Sequence, residues 1–154
     1  MQVLIRRILS LRGSTAVAAS MVSFLAVCGW PLPGRAEPAK SISIELNKLE
    51  PQGGNCRAYL VIANPGTDAF SGFTLDLVVF DRGGTIARRL AVELAPLRPA
   101  KTMVKVFDIS ATPCSGIGGI LVNDVIQCRD ASGDVAGCVD RVTTSSKVPV
   151  ALSK

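Results

Sequence analysis

The chain contains no histidine. The commonest general base is therefore missing, and serine–histidine or cysteine–histidine catalysis is excluded. There is no CxxC pair either. Beyond Cys28 the cysteines stand at Cys56, Cys114, Cys128 and Cys138, with spacings of 58, 14 and 10. Structural zinc sites favour close ligand pairs and thiol redox enzymes favour CxxC, so neither chemistry fits. The apolar run Ala16–Val27 has twelve residues, short of the ~20 that a transmembrane helix needs.

What the N-terminal region does have is the layout of a secretory signal peptide. Arg6, Arg7 and Arg12 precede the apolar run. "CGWPLPGRA" then breaks the helix and leaves the small residues Gly34 and Ala36 where a signal peptidase reads. The expected boundaries are residues 1–36 as signal peptide, with Glu37 the first mature residue. Two variants of export fit less well. Arg6-Arg7 with "ILSL" matches a twin-arginine signal only loosely. "LAVC" resembles a lipobox that would lipidate Cys28, but Val27 is larger than the residue normally found there.

Removing the leader changes the charge. The whole chain carries +5, and Arg6, Arg7, Arg12 and Arg35 leave with the leader, so the mature balance is 13 − 12 = +1. Nothing global then argues for nucleic acid or an anionic membrane. Arg88-Arg89 is the one adjacent basic pair remaining, and no aromatic interleaves it. The four mature cysteines are an even number in a small exported domain, which reads as disulfides.

From residue 42 onward the pattern is short strands between turn signals. "SISIEL" alternates, with Ile42, Ile44 and Leu46 on one face. "CRAYLVIA" puts Cys56, Ala58, Leu60 and Ile62 on one face. "FTLDLVVFD" gives Phe73, Leu75, Leu77 and Val79 an apolar face, with Thr74 and Asp76 on a partly wet one. "TIARRLAVEL" places Ile86, Arg88, Leu90, Val92 and Leu94 together, and Arg89 and Glu93 opposite. "TMVKVFDI" is a less clean strand. "ILVNDVIQC" points Ile120, Val122, Ile126 and Cys128 inward, with Asp124 awkwardly on that face. β-branched residues, period-2 alternation and frequent turn signals predict an all-β, antiparallel immunoglobulin-like sandwich of about six to seven strands over residues 37–140. Residues 141–154 carry little core pattern and read as a flexible tail.

The run "LVIANPGTDAFSGFTLDLVVFDRGGTIARRLAVELAPLRPAKTMVKVFDI" resembles bacterial immunoglobulin-like domains built around an FxLYD-type strand. The matching features are Asn64, Val79-Phe80-Asp81, Gly83-Gly84, Ala95-Pro96-Leu97 and Pro99. The resemblance covers about fifty residues of structural motif. The whole chain also resembles small exported bacterial proteins without assigned function. The resemblance implies a sandwich that binds or spaces envelope components, and it supplies no catalytic residues.

An up-and-down walk through the six strands constrains the cysteines. Cys56 and the loop holding Cys114 fall at one end of the sandwich, Cys128 at the other. Nine extended residues span ~30 Å, and a disulfide needs Cα atoms within ~7 Å. The expected bonds are Cys56–Cys114 and Cys128–Cys138.

Three stretches invite chemistry. Among the acids, Asp76, Asp108 and Asp124 lie on or beside strands, where two could meet across a sheet, although wet-face solvation explains them. "CSGIGG" lacks the Lys-Ser/Thr and the following helix of a phosphate loop. "DASGD" begins like a calcium loop, but the twelfth position from Asp130 is Arg141 rather than glutamate. Asp130 and Asp134 then belong to a turn. In "VFDRGGTIARR", Gly83-Gly84 can supply the positive φ of a tight hairpin. Arg88, Arg89, Asp130 and Asp134 are the candidate binding residues, with no catalytic residue, metal or cofactor expected. The functional expectation is a non-enzymatic periplasmic or secreted module that contacts a cell-envelope protein. The alternative is a small-ligand or metal-binding protein using the loops near Cys114 and Asp130.

Overall fold

The computed structural model describes residues 41–154. The expected leader, its cleavage point and Cys28 lie outside the described residues. Strand β1 (Ile42–Gln52) turns through Gly53 and Gly54 into β2 (Asn55–Asn64). Both glycines have positive φ (51° and 94°), the backbone conformation a side chain resists. Strands β3 (Gly72–Asp81) and β4 (Ile86–Glu93) form the next hairpin, followed by β5 (Lys101–Ile109) and β6 (Ile117–Asp130). Two residues, Gly133–Asp134, make β7; β8 is Val142–Ser146 and β9 is Ala151–Ser153.

These strands build two sheets, ordered β5-β2-β1-β8 and β4-β3-β6-β7, with β9 joining the second beside β6. The inner faces are those the alternation predicts. Ile42, Ile44, Leu46, Ala58, Leu60 and Ile62 from the first sheet meet Phe73, Leu75, Leu77, Val79, Ile120 and Val122 from the second. Burying such side chains contributes roughly 1.5–3 kcal/mol each. The result is a disulfide-bonded β-sandwich.

Both disulfides are those the strand walk predicts. Cys56 opens β2 and pairs in register with Ile109, so the turn just beyond β5 brings Cys114 to it, Cα to Cα 4.8 Å. Cys128 bonds Cys138 at the other end of β6, with Cα atoms 6.4 Å apart.

Three expectations need correction. Residues after 141 are not a loose tail: β8 pairs parallel with β1 and β9 parallel with β6. Val142 and Leu152 enter the core. Among the described residues the strand number is therefore nine, and the sandwich is not purely antiparallel.

The β6 faces also differ from strict alternation. The register slips at Asn123 and again at Ile126. Each slip is a β-bulge, which turns the following residue to the other face. Asp124 thereby leaves the core side and lies opposite Asp76, Val125 turns in, and Ile126 ends 56% exposed.

A bulge in β4 separates Arg88 from Ile86. Val79 pairs with Arg88 but Phe80 pairs with Ile86, leaving Ala87 unpaired. Ile86 and Arg88 therefore lie on opposite faces. The hairpin turn itself uses one positive-φ glycine, Gly84. Asp81 shapes the rest, its Oδ1 accepting the amides of Gly83 and Thr85 at 2.8 and 2.9 Å.

Candidate functional site

The outer face of the second sheet carries two polar ladders, each spanning β4, β3 and β6. In the first, the Thr74 hydroxyl lies 2.7 Å from Glu93 Oε2 and 3.0 Å from Gln127 Oε1. In the second, Arg89 donates two bonds to the Asp76 carboxylate, both 2.8 Å, and Asn123 Nδ2 donates a third at 2.6 Å. Asp76 is buried, while the Arg89 side chain is 67% exposed. The bulge at Asn123 is what lets the amide reach across.

The paired guanidinium lowers the Asp76 pKa below the usual carboxylate range; burial opposes this, and the Asn123 bond adds to it. Glu93 is lowered too. Burial pushes it up, but the Thr74 hydroxyl and the amides of Ala95 and Phe73 outweigh that. A carboxylate held ionised by fixed donors is a poor proton donor. Asp76 and Asp124 do meet as cross-strand partners. Asp76 is not solvated on a wet face as expected, because Arg89 and Asn123 cover it. On the other sheet Asp108 is taken by Arg57, with bonds of 2.8 and 3.2 Å.

The four candidate binding residues do not form one group. Arg89 belongs to the Asp76 ladder. Arg88 faces the other way at the open edge of β4, exposed. Asp130 and Asp134 sit at the far end of β6, where Gly72 pairs with Arg129. Val79, opposite Arg88, is seven residues along β3 from Gly72, a distance of ~23 Å in an extended strand. Asp130 Oδ1 accepts the Ser132 amide at 2.6 Å and so shapes the β6–β7 turn, while Asp134 pairs with Arg129 at 3.0 Å. Among the described residues no three His, Cys, Asp or Glu side chains converge as metal ligands. No helix there is long and apolar enough to cross a membrane.

"CSGIGG" is a single 3-10 turn, Cys114–Gly116, running directly into β6. Of its three glycines, Gly118 serves packing. A Cβ on Gly118 would lie 2.3 Å from the Asp81 carbonyl oxygen, so the start of β6 approaches the β3 end too closely for any side chain.

The apolar surface lies elsewhere. On the outer face of the first sheet, Val104 and Val106 of β5 are 57% and 43% exposed. They stand opposite the half-buried Val61 and Tyr59 of β2. The ion pairs Arg57–Asp108 and Lys48–Glu50 rim them, and the Lys48 ammonium lies 5.2 Å from the Tyr59 ring centre. The alternation of "TMVKVFDI" carried the signal, since both of its faces hold apolar residues. Beside the start of β5 lies an open cleft of about 350 Å³, with Pro96, Leu97, Arg98, Lys101 and Met103 among its walls.

The chain matches no family model, and no curated protein or solved structure shows significant similarity to it.

Proposed function

We propose that the protein is an exported, non-enzymatic module that works by contacting another protein of the cell envelope. The observation that carries this reading is the exposed valine pair on β5. Val104 and Val106 continue an apolar strip with Tyr59 and Val61 on a face that nothing else in the chain covers among the described residues. Exposed apolar area framed by charged pairs is the usual composition of a protein contact. The two disulfides suit an oxidising compartment, as does the signal-like pattern of residues 1–36. The resemblance to FxLYD-type modules points the same way and stays a resemblance.

The carboxylates support it from the other side. Asp76 and Asp108 are each engaged by an arginine, and Asp130 and Asp134 by the turn they stabilise. The test is a photo-crosslinking residue at position 104, with position 123 on the opposite sheet as control, in cells that export the protein. A discrete adduct from position 104, lost on Val106→Asp, is the expected result. An adduct from position 123 alone would move the contact to the other sheet. Turnover by the purified protein that disappears in Asp76→Asn would replace a binding function with an enzymatic one.

A further inference from the structure

Twelve Lys and Arg residues lie between 41 and 154. Six of them pair with a carboxylate: Lys48, Arg57, Arg89, Arg129, Arg141 and Lys147. The remaining six, among the described residues, are Arg82, Arg88, Arg98, Lys101, Lys105 and Lys154. Five of these fall between Arg82 and Lys105, on the β3–β4 turn, β4, the β4–β5 link and β5. The one acid within that stretch is Glu93, whose carboxylate accepts from Thr74, Phe73 and Ala95 and also feels the Lys105 ammonium. These five cations against one acid leave the β4–β5 side of the sandwich net positive.

That side also holds an open strand edge. β5 ends its sheet, and no described strand pairs with its far side. Its residues alternate in a specific way. Lys101, Met103 and Lys105 lie opposite Asn64, Ile62 and Leu60 and so face inward, while Val104 and Val106 face out. An inward-facing lysine on an edge strand guards it against association. The guard discriminates by charge. A second β5 pairing antiparallel about Lys105 would set lysine against lysine. A strand with acids at alternate positions would instead set carboxylates beside Lys101 and Lys105, and its other residues beside the two valines.

We infer that the β5 edge is a docking edge for an extended acidic segment of another protein, added as a fifth strand to the β5-β2-β1-β8 sheet. Backbone hydrogen bonds along the edge give the affinity in such strand addition, and alternate side chains give the specificity. The cleft walled by Arg98, Lys101, Leu97 and Met103 at the start of β5 receives a side chain from one end of the added strand. This rests on the protein-contact reading, and names the chemistry of the partner and the edge it uses.

The probe is a labelled ten-residue peptide alternating glutamate with valine or threonine, against a counterpart with lysine for glutamate. Binding is read by fluorescence anisotropy and located by amide hydrogen exchange. The acidic peptide is expected to bind, to weaken as salt rises, and to protect the β5 amides. The double variant K101E/K105E is expected to lose about tenfold or more for it, equivalent to ~1.4 kcal/mol, and to gain binding of the lysine peptide. That gain separates a charge effect from misfolding. Equal binding of both peptides, protection away from β5, or no binding of the acidic peptide up to about 1 mM would overturn the inference. A cell-envelope partner crosslinked solely through another face would overturn it too, while leaving the protein-contact reading in place.

Discussion

Asp76 has three donors on its carboxylate and a neighbour of its own sign across the strand gap. Removing the acid leaves Asn123 and Arg89 without their acceptor, and Asp76→Ala is expected to cost about 1–3 kcal/mol, measured as a shift in the urea midpoint. The pH dependence follows from the direction of the pKa change. The folded value is depressed, so the pair contributes fully above the ordinary aspartate value of about 4. That contribution is lost as pH falls through the folded value. Wild type is therefore expected to lose more stability between pH 6 and pH 3 than Arg89→Gln, compared by thermal melts at the two pH values. The sequence shows Asp76 plainly enough, as one acid between two leucines. It does not show the burial, because that depends on a bulge at Asn123 and on an arginine of the neighbouring strand β4. The same bulges explain why Ile126 was expected inside and is exposed. A one-residue slip exchanges the two faces of a strand, and nothing in "NDVIQ" marks where it occurs.

At the scale of elements, the strands whose inner faces are unbroken runs of apolar residues were legible: β2 and β3 have the faces the alternation predicts. The C-terminal pair was not. "VTTSS" offers one apolar residue, Val142, and "ALS" one core residue, Leu152. Their place in the fold comes from pairing with strands far back in the sequence, Val142 with Ile42 of β1 and Leu152 with Ile120 of β6. These short strands are nonetheless part of the core. A chain ending at Arg141 would uncover Ile42, Ile44 and Ile120, and is expected to lose its cooperative unfolding transition, read by near-UV circular dichroism and urea titration. Gly118 makes a sharper test. Its close approach to Asp81 leaves no room for a methyl group, so Gly118→Ala is expected to destabilise by about 1–3 kcal/mol. Gly119→Ala, where the space is open, is expected to change little.

For the whole molecule, the strand walk and the cysteines were legible together. Antiparallel neighbours put the cysteines at defined ends of the sandwich, and that geometry selected the pairing. Cys56–Cys114 closes a loop with a sequence separation of 58. In the chain-entropy model that closure contributes about 4 kcal/mol. Cys56→Ala with Cys114→Ala is expected to lower the urea midpoint more than loss of the bond Cys128–Cys138, whose separation is 10 and whose closure the same model puts about 1.5 kcal/mol lower. Equal losses from the two bonds would show that native packing, rather than loop closure, sets their contribution.

β1 lies between two partners of opposite direction, β2 antiparallel and β8 parallel. Tension on the chain ahead of Ile42 would act along the axis of β1. Its bonds to β2 run perpendicular to that axis and those to β8 cross it at a slant, so both sets would be strained together, in shear, instead of opening one at a time from an end. A sandwich held by its leading strand while a partner pulls from the far side would therefore yield abruptly and at high force. The short β8 thus gives the domain a mechanical strength that its equilibrium stability does not measure.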